Sequence, residues 1–191
     1  MNQIIGAAVV PPPLTPGEID TLYEVVNGQR VELPPMGAYE TDLASVLTQL
    51  LGAFARAQNR GRVEAEMLFL IDQAAELQRR PDVAFVSYER WPRNRRVPRT
   101  AAWNVVPELA IEVVSPSNTA EGSVVKVQEY LRAGVQRVWV VFPDIEQVYA
   151  YDSPTAVRIL VRSDELDGDP VLPGFRLPLA TLFEAEATEP A

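Results

Sequence analysis

Glu108-Leu-Ala-Ile-Glu-Val-Val114 reads as a strand that carries a carboxylate, Glu112, among apolar neighbours. Ser115-Pro-Ser-Asn118 breaks the apolar run, and the following stretch reads as a helix that ends at Ala133-Gly134, because a helix closes readily on a glycine. Asn118 is the expected cap of that helix, with Glu121 placed to complete a capping box. Arg137-Val-Trp-Val-Val-Phe142 then reads as a buried strand. Upstream, residues 82–87 and 63–71 are further strand candidates. Leu43, Val46, Leu47, Leu50, Leu51 and Phe54 recur at helical spacing and predict an amphipathic helix over 40–57. Asn27-Gly28, flanked by Tyr23-Glu-Val-Val26 and Gln29-Arg-Val-Glu-Leu33, predicts a two-residue β-hairpin, since both turn residues tolerate positive φ. Downstream, Pro143-Asp144 turns the chain, residues 147–151 and 156–161 read as strands, and Leu172-Pro-Gly-Phe175 with Leu182-Phe183 tacks down the end. A hairpin, a helix, three strands, a helix and more strands make a mixed α/β sheet with helices packed against it. Residues 1–20 read as a proline-rich arm with a short helical turn at Thr15-Pro-Gly-Glu18, 21–184 as one domain, and 185–191 as an acidic tail.

Composition narrows the chemistry. The apolar fraction of 47% suits a globular core, and no stretch approaches the roughly 18 apolar residues of a membrane helix. The start lacks the basic and long apolar regions of a signal peptide, so the expected location is cytoplasmic. Without cysteine there is no thiolate chemistry, and without histidine the commonest general base and the usual zinc ligand are gone. Any metal is therefore held by oxygen, which points to magnesium or manganese and away from zinc. The chain has one lysine, Lys126, against sixteen arginines. A lysine is a compact ammonium whose pKa can shift, whereas guanidinium is a broad fork that stays charged. The bland role for Lys126 is a surface ion pair with Glu129, worth under about 1 kcal/mol.

Glu112 shares its strand face with Ala110 and Val114, and a buried carboxylate there needs a cation or a metal as partner. Asp82, Glu112 and Lys126 together suggest a metal-dependent phosphodiesterase. The net charge of −9 argues against a nucleic-acid partner, but its distribution does not. Residues 79–99 hold seven arginines against Asp82 and Glu89, a local balance of +5 that leaves −14 elsewhere. Prolines and Trp91 within this segment suggest a loop with a stacking side chain. Gly122, inside the second helix, is expected to allow close approach by sheet or substrate.

Pro81-Asp82-Val83, Pro107-Glu-Leu-Ala-Ile-Glu112-Val-Val-Ser-Pro-Ser117, Lys126, Tyr130, Gly134-Val135, Trp139-Val-Val-Phe-Pro-Asp144 and Leu172-Pro-Gly-Phe175 occur in that order. This pattern resembles the bacterial Uma-type family of restriction-endonuclease-like proteins, in the PD-(D/E)XK nuclease superfamily, from about Tyr23 to Phe183. The resemblance implies a restriction-endonuclease-like fold, with the signature lysine moved from the strand into the next helix. Here Val114 fills the strand position and Lys126 the helix position. It also implies a first acidic residue at Glu24. Two features of many relatives are missing: a histidine near the start of the first long helix, and an acidic residue where this chain has Gly122. The expected activity is metal-dependent DNA hydrolysis, with Mg²⁺ or Mn²⁺ on Asp82, Glu112 and the main-chain carbonyl of Val113, and Glu24 assisting through water. Lys126 would orient the attacking water or stabilise the charge developing on phosphate, with desolvation beside the sheet expected to depress its pKa toward proton transfer. Arg90, Arg93, Arg95, Arg96 and Arg99 would contact phosphates without reading sequence. Superfamily analogy suggests a homodimer. The alternatives are a nuclease-fold module that binds DNA or protein without cutting, and a structural module in which Glu112 and Lys126 are a buried ion pair.

Overall fold

A computed structural model describes residues 21–183, so the expected arm and acidic tail lie outside the described residues. Strands β1 (Tyr23–Val26) and β2 (Gln29–Glu32) form the hairpin, with Asn27 and Gly28 at φ 52° and 74°. Positive φ at both central residues is the turn that matches strand twist. Helix α1 (Ala38–Ala57) follows, then β3 (Gly61–Ala65), β4 (Phe69–Asp72), β5 (Leu77–Arg79), β6 (Val83–Ser87) and β7 (Leu109–Val113). Helix α2 (Ala120–Ala133) leads to β8 (Arg137–Phe142), β9 (Gln147–Ser153), β10 (Ala156–Val161), β11 (Glu165–Asp167), β12 (Arg176–Pro178) and the one-turn α3 (Leu179–Leu182).

The main sheet has the order β10-β9-β8-β7-β6-β3 and is antiparallel except for β7 and β8, which run parallel on either side of the α2 crossover. A second sheet, β2-β1-β5-β4, carries the hairpin, and β11 pairs with β12. Alternation along the central strands builds two cores. Val83, Phe85, Leu109, Ile111, Trp139 and Val141 pack on Leu43, Leu47 and Leu51 of α1. Ala84, Val86, Ala110, Val138 and Val140 face the other way, toward Val127 and Tyr130 of α2. Phe175, Leu182 and Phe183 close the α1 core, so the C-terminal segment tacks down as its sequence suggests.

Three local expectations are corrected. The run 63–71 is two strands in two different sheets, divided at Glu66, whose φ of 49° turns the chain out of the main sheet. The cap of α2 is Thr119, whose side chain accepts from the Gly122 amide at 3.0 Å. Asn118 instead takes the Ser115 amide at 2.7 Å, closing the turn before the helix, and with Thr119 as cap Glu121 sits one place short of a capping box. A Cβ at Gly122 would meet only the Thr119 hydroxyl, at 3.0 Å, so this glycine does not serve an approach by the sheet. At the other end, Gly134 closes the helix at φ 101°, as expected. The described residues contain no helix long and apolar enough to cross a membrane.

Candidate active site

Register places the acids. Val83 pairs with Ile111 and Ala84 with Ala110 in the antiparallel β6–β7 ladder, so one step further Asp82 stands across from Glu112. Directly opposed residues share a face, with Cβ atoms about 5 Å apart, and here that face looks toward α2. The Asp82 carboxylate accepts the Val113 amide at 2.6 Å, which fixes its position at the mouth of the strand pair. Lys126 lies on α2, four residues before Tyr130, so both side chains project from one face of the helix toward Glu112. The Lys126 ammonium donates to Glu112 Oε2 at 3.0 Å, and the Tyr130 hydroxyl donates to Glu112 Oε1 at 2.6 Å. A cleft of about 480 Å³ opens over this cluster, lined by Arg79, Glu112, Val113, Gly122 and Lys126 among others.

Glu24 enters from β1 of the second sheet and is 2% exposed. Its Oε1 lies 3.2 Å from the Lys126 Nζ, a direct contact, and its Oε2 accepts from Arg79 at 2.5 Å. Arg79 also donates to Glu129 of α2, so Glu129 is the partner of Arg79 and not of Lys126. An unbroken chain of alternating charge therefore runs Glu129, Arg79, Glu24, Lys126, Glu112. It joins the hairpin sheet, α2 and the main sheet at one point. Sequence reading counted Arg79 only as one of the basic residues of its segment. Its place two residues before Pro81-Asp82 was the available signal, because the strand that ends at Arg79 feeds directly into the acidic position. Removing one partner from a buried network of this kind leaves a charge uncompensated, at a cost of about 3–5 kcal/mol. Arg79→Met is accordingly expected to lower the urea midpoint strongly, and Arg79→Met/Glu129→Leu to recover part of that loss.

Electrostatics set the protonation states. Burial, reinforced by the Glu112 carboxylate, pushes Asp82 up to about 7, against the opposing pull of the Val113 amide and the Lys126 ammonium. For Lys126 burial alone would lower the pKa, but Glu112 and Glu24 outweigh it and raise the ammonium above its ordinary value. This corrects the expectation of a depressed lysine: Lys126 is held charged. Tyr130 is pushed well above the usual phenol value by burial and by the same two carboxylates, so it acts as a fixed donor.

The arginine segment lies elsewhere. β6 leaves the acidic cluster and ends at Ser87, roughly 15 Å away for a five-residue strand, and the 88–107 loop departs from that far end. Arg90 is bound into the fold there: it pairs with Glu108 at 3.1 Å and donates to the carbonyls of Val106, Pro107 and Gly134. Trp91, expected to offer a stacking ring, is 7% exposed and packs edge-on against Trp103, with the Arg95 guanidinium 3.6 Å from its ring.

Comparison with known proteins bears on the family and the fold. The family described as Uma2, putative restriction endonuclease, matches residues 16–180. Among solved structures, the fold is similar to that of a putative nuclease belonging to DUF820 from Anabaena variabilis, with a TM-score of 0.75 at 17% identity, covering 90% of this chain and 98% of that one. No curated protein matches the chain. A match over 165 of 191 residues, on the same strands and helix that assemble Asp82, Glu112 and Lys126, means that the chain belongs to the Uma2 family of putative restriction endonucleases.

Proposed function

We propose that this protein hydrolyses phosphodiester bonds in DNA, using Mg²⁺ or Mn²⁺ held by Asp82, Glu112 and the main-chain carbonyl of Val113. The observation that carries the reading is the pairing of Asp82 with Glu112 across β6 and β7, with the Lys126 ammonium 3.0 Å from Glu112. The donor set fits a hard cation. It is all oxygen, and two adjacent carboxylates, one of them pushed up to about 7, lack enough positive charge of their own. Among the described residues no three His, Cys, Asp or Glu side chains are grouped to enclose an ion. A sparse protein shell is what magnesium uses when water and substrate phosphate complete its coordination.

When bound, the cation would polarise the phosphate and acidify a water. Lys126 keeps a fixed positive charge beside the phosphate and stabilises the negative charge that develops there. Without a cation on Glu112, the Glu112 and Glu24 carboxylates raise its pKa and favour the charged form. Glu24, anchored by Arg79, steadies the ammonium from the side away from Glu112, and Tyr130 fixes the second oxygen of Glu112. Glu24, Arg79 and Tyr130 position the reacting groups. The low-salt nicking of supercoiled plasmid with Mg²⁺ or Mn²⁺ tests the reading, together with Mn²⁺ binding by calorimetry. Glu112→Ala is expected to lose both; an unchanged cleavage rate in this variant sinks the proposal. Absence of cleavage by folded wild type with either metal, alongside salt-sensitive DNA binding, would favour a module that binds without cutting.

A further inference from the structure

Six arginines of the described residues, Arg79 and Arg137 among them, each hold a carboxylate. Arg93, Arg95, Arg96 and Arg99 hold none among the described residues. All four are exposed and fall within seven residues of the 88–107 loop, whose one acid is Glu89. Long-range contacts hold the loop in place. The Tyr88 amide donates to the Arg60 carbonyl at 2.9 Å, Arg93 donates to Asn59 Oδ1 at 3.0 Å, and Arg62 donates to the carbonyls of Arg93 and Arg95 at 2.9 and 3.3 Å. These bonds bring the turn between α1 and β3 against the loop and add Arg60, also exposed and without a carboxylate among the described residues, to the same end of the sheet. The result is an anchored basic face on an acidic protein, at the end of β6 opposite Asp82.

We infer that this face is a docking surface for the phosphate backbone of duplex DNA, separate from the acid–lysine cluster. The inference rests on DNA being the partner, as the proposed function has it. Two features select duplex over single strand. The ring that would stack on an unpaired base, Trp91, is buried and covered by Arg95, whereas single-strand binders combine basic grooves with open aromatic platforms. A tethered loop holds its arginines in a fixed arrangement, as a regular duplex backbone requires and a pliable single strand does not, and such contacts hold the duplex without reading it. The negative charge of the remaining surface repels DNA and favours approach with this face leading.

The test is fluorescence anisotropy with a 20-base-pair duplex in EDTA, so that neither metal nor cleavage contributes. The Arg93→Gln/Arg96→Gln/Arg99→Gln variant leaves Arg95 on Trp91 and is expected to fold normally. It should bind about tenfold or more weakly at low salt, and the slope of log affinity against log salt should fall by about 2 to 3, one counterion near 0.9 per contact. A variant lacking paired arginines, Arg158→Gln/Arg176→Gln, should leave affinity and slope within twofold. Equal affinity and slope in the triple variant, or tighter binding of the single strand or of an RNA duplex than of the DNA duplex, overturns the inference. Its failure is separable from that of the nuclease reading. Loss of binding in the triple variant with no cleavage by wild type upholds the docking face alone, and cleavage that the triple variant matches in KM and kcat upholds the nuclease alone.

Discussion

Lys126→Met is expected to cleave DNA about 10²- to 10³-fold more slowly than wild type under single-turnover conditions, the loss typical of removing one charge-stabilising donor. Lys126→Arg should not restore the rate, because a guanidinium fork cannot occupy the point between Glu24 and Glu112 that the ammonium fills at 3.2 and 3.0 Å. The same change removes the cation that those two carboxylates share, so Lys126→Met is also expected to lose about 3–5 kcal/mol of folding stability. The two effects separate in the double variant Glu112→Leu/Lys126→Met. It removes the charge together with one of its partners and should fold better than either single variant while remaining inactive. Urea titration and cleavage in the same buffer provide both readouts. A Lys126→Met protein that is fully folded and cuts within threefold of wild type would falsify the assignment.

The second large effect is on stability and depends on pH. Asp82 has a folded-state pKa of about 7 against an ordinary 3.8, because it is buried beside Glu112. Below pH 4 the carboxyl is protonated in both states and costs nothing. Between pH 4 and 7 the unfolded chain releases the proton while the folded chain keeps it, so stability falls as pH rises; above 7 the full penalty applies, about 4 kcal/mol at most. Asp82→Asn is neutral throughout and still accepts the Val113 amide. In EDTA it should exceed wild type by about 2–4 kcal/mol at pH 8 and match it near pH 4. Millimolar Mg²⁺ is expected to stabilise wild type at pH 8 and leave Asp82→Asn unchanged, and the variant should not cleave. Urea midpoints at the two pH values, with and without Mg²⁺, decide the matter. A difference that does not vary with pH would mean that Asp82 is not the strained acid.

Much of this arrangement was legible because it is local or periodic. The hairpin at Asn27-Gly28, the buried face of α1, the stop at Gly134 and the strands around Glu112 follow from side-chain spacing and turn chemistry. Asp82, Glu112 and Lys126 were likewise visible as an acid opening a strand, an acid inside an apolar strand and a lone lysine. What escaped was set by contacts distant in sequence. Residues 63–71 are uniformly strand-like, and only the positive φ at Glu66 divides them between two sheets. The charge state of Lys126 turned on Glu112, from the facing strand, and on Glu24, 102 positions earlier, which reaches it through the hairpin sheet. Burial alone predicts the opposite direction, and the ion pair with Glu112 was open only as an alternative. Trp91 in a proline- and arginine-rich stretch looks exposed, yet the Trp103 that covers it comes from the far side of the same loop.

The alternating chain of Glu129, Arg79, Glu24, Lys126 and Glu112 has a property that emerges only when Asp82 is added to it. Four acids then face two bases inside one connected cluster, a shortfall of two positive charges wherever Asp82 is ionised. One monovalent ion would leave the cluster negative and a trivalent ion would overshoot. Electroneutrality thus favours an ion of charge two even though the liganding atoms are few, and any substitution that alters the count by one, such as Glu129→Gln or Arg79→Met, should shift the balance between divalent and monovalent ions without touching a ligand.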